Sequence, residues 1–230
     1  MTLLLFDIDG TLLLKAHPEH RDALHASMHD VYGIADPAAP HVEAAGRTDV
    51  EIARHIALLS GLSADRFERR LDEFREACVE HYAHLAPDDL SATVAPGMGG
   101  LLEGVSTRDG FRLSLVTGNL EPIARIKLER AGLGHYFERG QGGFGSDHED
   151  RTELPAIARR RAGENDEPYP SRHTVVIGDT PRDIACARAD DCRALAVATG
   201  PFGADELTAA DAVASDARAL APLIDSLIPA

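Results

Sequence analysis

Two carboxylates stand one residue apart at the end of a short apolar run near the start of the chain. The run Leu3 to Phe6 is unbroken, as expected of a strand buried on both faces of a parallel sheet, and Asp7 and Asp9 follow it directly. Two close carboxylates raise each other's pKa unless a cation neutralises them. Oxygen ligands favour a hard divalent ion, so the sequence predicts a Mg²⁺ site here. Gly10 would let the backbone turn away after the pair.

Polar residues also follow two later apolar runs. Thr117 follows the run 111–116, and Gly178-Asp179 follows the run 174–177. In open α/β sheets, ligands bind outside the carboxyl ends of the strands, where the strand order switches. The three segments, far apart in sequence, are therefore expected to meet at one edge of a sheet and to form a single polar site with Asp7.

The elements that would position these residues alternate along the second part of the chain. Strand-like runs alternate with helical patterns, which predicts an α/β fold with a Rossmann-like parallel sheet and right-handed crossovers. The later strands are expected at 111–116, 174–177, 194–198 and 212–214, and helices at 98–105, 122–131 and 152–162.

The first part of the chain differs, because residues 16 to 85 contain helical patterns and no strand-like run. The spacing predicts one helix from Pro18 to Gly33, a second over 50–59, and a third over 67–85 with an apolar stripe at intervals of three and four. Helices inserted directly after the first strand predict a separate domain. We assign residues 1–14 and 92–230 to an α/β catalytic core and residues 15–91 to an inserted all-helical cap domain.

Composition limits the classes of partner. The 230 residues include 23 Lys and Arg against 38 Asp and Glu, a formal net charge of −15. This balance argues against nucleic acid or an anionic membrane surface as a partner. The three cysteines lack CxxC spacing and are predicted to be reduced and buried. No apolar run approaches the roughly 20 residues of a membrane span, so we expect a cytoplasmic enzyme.

Three stretches together resemble the motifs of a known superfamily. They are Asp7-Ile8-Asp9-Gly10-Thr11, Thr117-Gly118-Asn119 and Gly178-Asp179-Thr180-Pro181-Arg182-Asp183. They look like motifs of the haloacid dehalogenase-like (HAD) hydrolase superfamily, and the helical insert resembles its first-type cap. The resemblance covers the whole chain and is strongest to the phosphoglycolate phosphatase and β-phosphoglucomutase branch.

The resemblance implies a role for each carboxylate. Asp7 would attack phosphorus as a carboxylate nucleophile and form an aspartyl-phosphate. Asp9 would be the general acid that protonates the leaving alkoxide and then the base that activates water, and it would offer its backbone carbonyl to Mg²⁺. Asp179 would complete the protein ligands of the metal.

Phosphate binding is assigned to the turns after the first two strands. Thr117 and the backbone N–H groups of Gly118 and Asn119 would bind phosphate oxygens at a helix N-terminus, and Gly10 and Thr11 join this group. Simple helix capping is the alternative for Thr117.

The sequence departs from the superfamily's pattern at the cation that holds the phosphate. The expected position, at the start of the helix 152–162, carries Arg151 rather than lysine. Arginine binds phosphate bidentately, so the exchange is workable, and Lys127 is the rival. We favour Arg151, and a surface charge is the alternative for either residue.

Two further residues have competing interpretations. Asp183 fits a capping box with Thr180, and a supporting role behind the metal ligands is compatible with it. In the insert, Arg47 of Gly46-Arg47-Thr48-Asp49 is the best candidate for substrate contact, with a solvated arginine as the alternative, whereas Thr48 with Glu51 suggests the start of a helix.

These features predict a Mg²⁺-dependent phosphatase that acts on a small phosphorylated metabolite, in the manner of phosphoglycolate phosphatase. A phosphomutase of the β-phosphoglucomutase type shares the catalytic parts and is the alternative. A receiver-type signalling module also phosphorylates an aspartate beside Mg²⁺, but it has no use for a helical lid. A haloacid dehalogenase would need neither Asp9 as an acid nor a metal. Oligomeric state does not follow from the sequence.

Overall fold

The computed structural model of the protein describes residues 1–14 and 18–226. In this part of the chain six strands form a single sheet in which every neighbouring pair is parallel. The strands are β1 (Thr2–Phe6), β2 (Phe111–Thr117), β3 (Gly143–Phe144), β4 (Thr174–Gly178), β5 (Arg193–Val197) and β6 (Ala212–Ala214). Their spatial order is β3-β2-β1-β4-β5-β6. The predicted α/β fold with a parallel sheet is confirmed.

Helices connect the strands and fill the segment after β1. In the described ranges they are α1 (Pro18–Tyr32), α2 (Asp49–Leu59), α3 (Ala64–Glu68), α4 (Leu71–Leu85), α5 (Met98–Ser106), α6 (Glu121–Arg130), α7 (Leu154–Ala162), α8 (Pro181–Ala189) and α9 (Ala217–Ser226). The first four follow one another without an intervening strand, and the remaining five lie between or after strands of the sheet. No helix of the described residues is long and apolar enough to cross a membrane.

The strand order reverses at β1, which places the site. Phe6 of β1 is paired with Leu115 of β2 on one side and with Ile177 of β4 on the other. The chain leaves each of these strands at the same edge, where Asp7, Thr117 and Asp179 stand. This is the switch point at which parallel α/β sheets bind ligands.

The sheet is buried on both faces. Successive side chains of a strand point to opposite faces, and accordingly Leu4 and Phe6 of β1 belong to one hydrophobic cluster while Leu3 and Leu5 belong to another. These four residues are fully buried. The apolar run before Asp7 is thus fixed from both sides, and this holds the carboxylate at a defined position.

The helical segment has a hydrophobic cluster of its own. Its members come mainly from α1, α2, α3 and α4, and they are joined by Leu120, which precedes α6, and by Ile123 in α6. The division into a core and a cap domain stays a prediction. The predicted boundary between residues 14 and 15 borders on residues 15–17, which, like the final residues 227–230, lie outside the described residues.

Two elements differ from the sequence-based expectations. The helix expected over 67–85 is two helices, α3 and α4, because Arg70 leaves the helical region with φ −121 and ψ 18. The apolar spacing runs across this break, so periodicity alone could not reveal it. The short strand β3 was not predicted, because two residues carry no pattern. The three cysteines are free and buried, as expected.

Candidate active site

A cavity of about 1050 Å³ opens at the switch point of the sheet. The predicted site residues that line it come from four connections of the fold and from the helical segment: Asp7, Asp9, Gly10, Arg47, Asn119, Lys127, Arg151 and Asp179. The others lie beneath its surface: Thr11, Thr117, Gly118 and Asp183 are buried and are not among the lining residues. The structure therefore brings the predicted residues together around one cavity, where some line the cavity and others are buried next to it.

Three buried carboxylates form the base of the site. One oxygen each of Asp7, Asp179 and Asp183 lies within 4.8 Å of the others. Asp179 accepts a hydrogen bond from the Thr11 hydroxyl at 3.0 Å. Oxygen ligands at this separation suit a hard divalent cation.

Asp183 is fixed by the start of α8. Its Oδ2 accepts from the Thr180 backbone N–H at 3.0 Å and from the Thr180 hydroxyl at 2.7 Å, while the Thr180 side chain accepts from the Asp183 backbone N–H. The capping box is thus present. The other oxygen of Asp183 faces Arg151 at 2.5 Å, so the residue caps the helix and also takes part in the charge cluster.

Two glycines leave room for the Asp179 carboxylate. A Cβ on Gly10 would lie 2.2 Å from Oδ2 of Asp179, and one on Gly200 would lie 1.7 Å from the same atom. Gly10 also has φ +88, a conformation that other residues rarely adopt. The sequence suggested the turn at Gly10, but the role of Gly200 depends on a contact across the fold.

The carboxylate cluster holds more negative charge than its surroundings neutralise. Burial, opposed by Arg151 and reinforced by Asp183 and Asp9, raises the pKa of Asp7 to about 6. Burial together with Asp7 and Asp183 raises the pKa of Asp179 to about 8. A divalent cation between these oxygens would supply the missing charge. The residues present therefore fit a Mg²⁺ ion, with Asp7 and Asp179 as the side chains that would hold it.

These shifts predict how metal binding depends on pH. In the unfolded chain the pKa of Asp7 and of Asp179 is about 4. At pH values between this and their raised folded pKa values, the metal-free folded protein binds more protons than the unfolded chain. Its stability therefore falls as pH rises from about 4 towards about 8, and a cation that binds the ionised carboxylates offsets this loss. We expect saturating Mg²⁺ to raise the unfolding temperature by about 5–10 °C at pH 8 and by clearly less at pH 6.

Thermal unfolding with and without Mg²⁺ at the two pH values measures this effect, and Asp179→Asn is its control. A rise that is equal at both values, or that persists in the variant, would contradict the placement of the metal.

Asp9 has a different electrostatic environment from Asp7. Its oxygens lie 2.7 and 2.6 Å from the Lys127 ammonium, and the Asn119 amide donates to Oδ2 at 2.9 Å. Burial favours the neutral acid, but Lys127, His20 and the Asn119 hydrogen bond outweigh it and hold the pKa of Asp9 well below its usual range. Asp9 is therefore ionised in this structure.

The ion pair extends into the helical segment. Lys127 is fully buried on α6 and lies 3.1 Å from Nδ1 of His20 on α1, while Nε2 of His20 lies 3.2 Å from Asp49 at the start of α2. Asp49 also accepts from the backbone N–H of Leu120 at 2.8 Å. His20 escaped the sequence analysis, because no motif separates it from the other histidines of these helices. The sequence placed Asp49 only in the segment 46–49 at the start of a helix, and its contacts with His20 and Leu120 depend on the fold.

Arg151 is the cation on the Asp7 side of the site. Its guanidinium is 6% exposed and lies 3.0 Å from Oδ1 of Asp7, with Asp183 on its other side. Burial works against its charge, but the two carboxylates raise its pKa above the usual value, so it is always protonated. The two candidate phosphate anchors thus contact different carboxylates: Arg151 contacts Asp7, and Lys127 contacts Asp9.

The turn after β2 links the sheet to the segment 46–49. The Asn119 amide also lies 3.1 Å from the Thr117 hydroxyl, which aligns the turn. A Cβ on Gly118 would lie 2.0 Å from the carbonyl oxygen of Arg47, and the Gly118 carbonyl accepts from the Asp49 backbone N–H at 2.9 Å. The glycine of this motif is therefore required for a close approach of two backbones.

Arg47 lines the cavity and is already engaged. Its guanidinium bonds to Glu51 one turn along α2 and to the carbonyl of Glu43 at 2.9 Å. Thr48 caps α2 by accepting from the Glu51 backbone N–H at 3.1 Å, and its hydroxyl donates to the Glu149 carbonyl at 2.7 Å. The helix start suggested by the sequence is present, and contact of Arg47 with substrate stays a prediction.

Comparison with known proteins identifies the family. A model of haloacid dehalogenase-like hydrolases matches residues 4–188, and a second model of HAD-hydrolase-like proteins matches residues 154–223. The first match spans more than half of the chain. The chain therefore belongs to the haloacid dehalogenase-like hydrolase family, as its motifs indicated.

Similar proteins include phosphatases. Phosphoglycolate phosphatase of Rhodospirillum rubrum is 32% identical over 194 residues, which are 80% of this chain and 74% of that protein. The probable phosphatase IndB of Dickeya dadantii is 30% identical over 61% of this chain and 60% of its own length. These homologues confirm the predicted enzyme class, a HAD-like phosphatase.

A solved structure with a similar fold is β-phosphoglucomutase from Clostridium difficile, with a TM-score of 0.71 over 99% of this chain and 96% of that one. Its sequence is 16% identical, so the likeness concerns the fold.

Proposed function

We propose that this protein hydrolyses a small-molecule phosphomonoester in a Mg²⁺-dependent reaction that passes through an aspartyl-phosphate on Asp7. The observation that carries the proposal is the charge arrangement at the switch point. A buried triad of Asp7, Asp179 and Asp183 lies beside a fourth carboxylate, Asp9, that has its own cation. The kinship with phosphatases supports the same reaction class.

In the first step an oxygen of Asp7 forms a bond to phosphorus while the ester P–O bond breaks. Asp7 lines the cavity but is only 4% exposed, so little water contacts this carboxylate, and Arg151 orients it from 3.0 Å. Mg²⁺, when held by Asp7 and Asp179, would neutralise charge on the transferring group and allow the anionic phosphate to approach the nucleophile. Asp183 would act from behind, through Arg151 and the start of α8.

The leaving alkoxide needs a proton, which Asp9 would supply, and Asp9 would take a proton from water in the second step. The bond of Asp9 to Lys127 keeps it ionised in the free site, which suits the base step directly. For the acid step Asp9 must first take up a proton from solvent, and the approach of a phosphate dianion favours this uptake because it raises the pKa of a neighbouring carboxylate. Water then attacks phosphorus, its proton passes to Asp9, and phosphate and the Asp7 carboxylate are released.

Arg151 is our preferred phosphate anchor. Its Nη2 lies 3.0 Å from Oδ1 of Asp7 and 2.5 Å from Oδ1 of Asp183, so the guanidinium stands beside the proposed nucleophile. A phosphate attacked by Asp7 would therefore lie next to this cation, and guanidinium N–H groups suit phosphate oxygens. Asn119, Thr117 and the backbone of Gly118 would shape the opposite side of the phosphate site.

The assay is the release of p-nitrophenol from p-nitrophenyl phosphate. We expect turnover with Mg²⁺, none with EDTA, and recovery when Mg²⁺ is restored in excess. A phosphomutase would hand the phosphoryl group to a second sugar, so phosphate release that is unchanged by added sugar phosphates distinguishes the hydrolase. Turnover that EDTA leaves unchanged would contradict the proposal.

A further inference from the structure

Two chemically different sets of side chains line the cavity. One is the set of charged residues around Asp7. The other is apolar and comes from the helical segment: Leu24 of α1, Pro40 and Val42 of the connection between α1 and α2, and Ile52 and Ile56 of α2. Leu24 and Ile56 are 4% and 2% exposed and belong to the hydrophobic cluster of that segment, so packing fixes the back of this wall, whereas Val42 and Ile52 are half-buried.

Within residues 1–14 and 18–226, the cations that line the cavity are already paired. Each Arg or Lys among the lining residues has a carboxylate partner: Arg21 has Asp22, Arg47 has Glu51, Lys127 has Asp9, and Arg151 has Asp7 and Asp183. A second anionic group on a substrate, away from the phosphate, would compete with one of these carboxylates for its cation. Exchange of one carboxylate for another brings little net gain.

Of the described residues that line the cavity, the histidines do not offer a second anion a strong positive charge either. His25 is half-buried, and its burial together with the nearby Arg21 lowers its pKa below the ordinary value, which leaves it neutral at pH 7. His20 is held by hydrogen bonds on both ring nitrogens. His41 is exposed, where a charge is screened by water.

The size of the cavity also argues against a small substrate that carries a second anionic group. Its volume of about 1050 Å³ is at the upper end of sites that bind drug-sized ligands. A two-carbon acid such as phosphoglycolate would occupy a small part of it and would leave the wall formed by Leu24, Val42 and Ile52 in contact with water.

We propose that the substrate is a phosphomonoester with one anionic group, the phosphate, and an uncharged, largely apolar body that packs on the wall of Leu24, Pro40, Val42, Ile52 and Ile56. This substrate class rests on the proposed phosphatase function. It differs from phosphoglycolate, whose carboxylate would meet paired cations and apolar side chains.

The test compares kcat/KM of the full chain with Mg²⁺ for ethyl, butyl and hexyl phosphate and for phosphoglycolate. Each added methylene is expected to raise kcat/KM roughly threefold to fourfold until the wall is covered. Ethyl phosphate has the same carbon count as phosphoglycolate without the carboxylate, and we expect it to be the better substrate of this pair. A flat alkyl series, or a preference for phosphoglycolate, would overturn the proposal.

Variants of the wall locate the effect. Val42→Thr and Ile52→Thr replace half-buried apolar side chains without a large change of size, and each is expected to lower the hexyl-to-ethyl ratio about threefold to tenfold. Leu59→Thr, an exposed position on the same helix as Ile52, is the matched control and should leave the ratio unchanged. Equal effects at Leu59 and Ile52 would contradict contact of the substrate with the wall.

A charge variant tests the paired cations. Glu51→Gln removes the carboxylate partner of Arg47 and is expected to raise kcat/KM for phosphoglycolate relative to ethyl phosphate. If the ratio of kcat/KM for phosphoglycolate to that for ethyl phosphate does not rise, the pairing of Arg47 with Glu51 does not disfavour a second anion, and the argument from paired cations is wrong. If no ester is hydrolysed, p-nitrophenyl phosphate included, the proposed function itself fails, whereas hydrolysis with a preference for phosphoglycolate overturns the substrate class alone.

Discussion

Asp7→Asn is expected to lower kcat for p-nitrophenyl phosphate by at least about 10³-fold. The amide that replaces the carboxylate cannot attack phosphorus, and it also removes one charge from the predicted metal site. The substitution keeps the size of the side chain at a position that is 4% exposed, so the surrounding packing is preserved. The measurement is steady-state turnover with saturating Mg²⁺.

The same variant should not unfold the protein. Burial of Asp7, together with Asp183 and Asp9 and against Arg151, raises its pKa to about 6. At pH 8 the wild-type carboxylate is therefore ionised in an environment that disfavours its charge, and a neutral amide relieves this cost. We expect the metal-free variant to unfold at the same temperature as the wild type or above it at pH 8. Lost activity with a clearly lower unfolding temperature would assign the effect to folding instead.

Arg151→Ala is expected to lower kcat/KM by about 10²- to 10³-fold, and Lys127→Ala by clearly less with p-nitrophenyl phosphate. The two cations differ in the carboxylate that they contact. Arg151 contacts Asp7, the proposed nucleophile, whereas Lys127 contacts Asp9 and affects the reaction through it. p-Nitrophenolate is a good leaving group and needs little help from an acid. The loss of Lys127 should therefore lower kcat/KM more for alkyl phosphates than for p-nitrophenyl phosphate.

Arg151→Lys and Lys127→Met complete this comparison. Lysine keeps a positive charge at position 151 but lacks the planar guanidinium, so partial activity is expected. Methionine keeps the apolar stem of the buried Lys127. Removal of the ammonium from a pair whose carboxylate is 37% exposed should cost about 1–3 kcal/mol of stability. A larger loss of kcat/KM for Lys127→Ala than for Arg151→Ala would move the phosphate anchor to Lys127.

Much of the architecture is local in origin and was therefore readable from the sequence. The apolar run before Asp7, the capping box of Thr180 with Asp183, and the turn at Thr117 each express a short-range rule. Parallel strands that end in polar residues predict convergence at one edge, and the structure places these ends around one cavity.

What the sequence could not predict depends on contacts between distant segments. The pairing of Lys127 with Asp9 and His20 joins α6, the turn after β1 and α1, and no spacing rule relates these positions. Gly200 is required by the Asp179 carboxylate across the sheet edge. From the sequence, Arg151 and Lys127 are alternatives for the cation that binds phosphate, whereas in the structure Arg151 contacts Asp7 and Lys127 contacts Asp9.

The proposed mechanism is tested most directly by isolating the covalent intermediate. Asp9→Asn removes the base of the second step, while p-nitrophenyl phosphate makes the first step nearly independent of an acid. After a short incubation with Mg²⁺ and an acid quench, peptide mass spectrometry of this variant should find one phosphoryl group on Asp7, and none in the double variant with Asp7→Asn. Continued turnover without phosphorylation, or a phosphoryl group on another residue, would contradict Asp7 as the nucleophile.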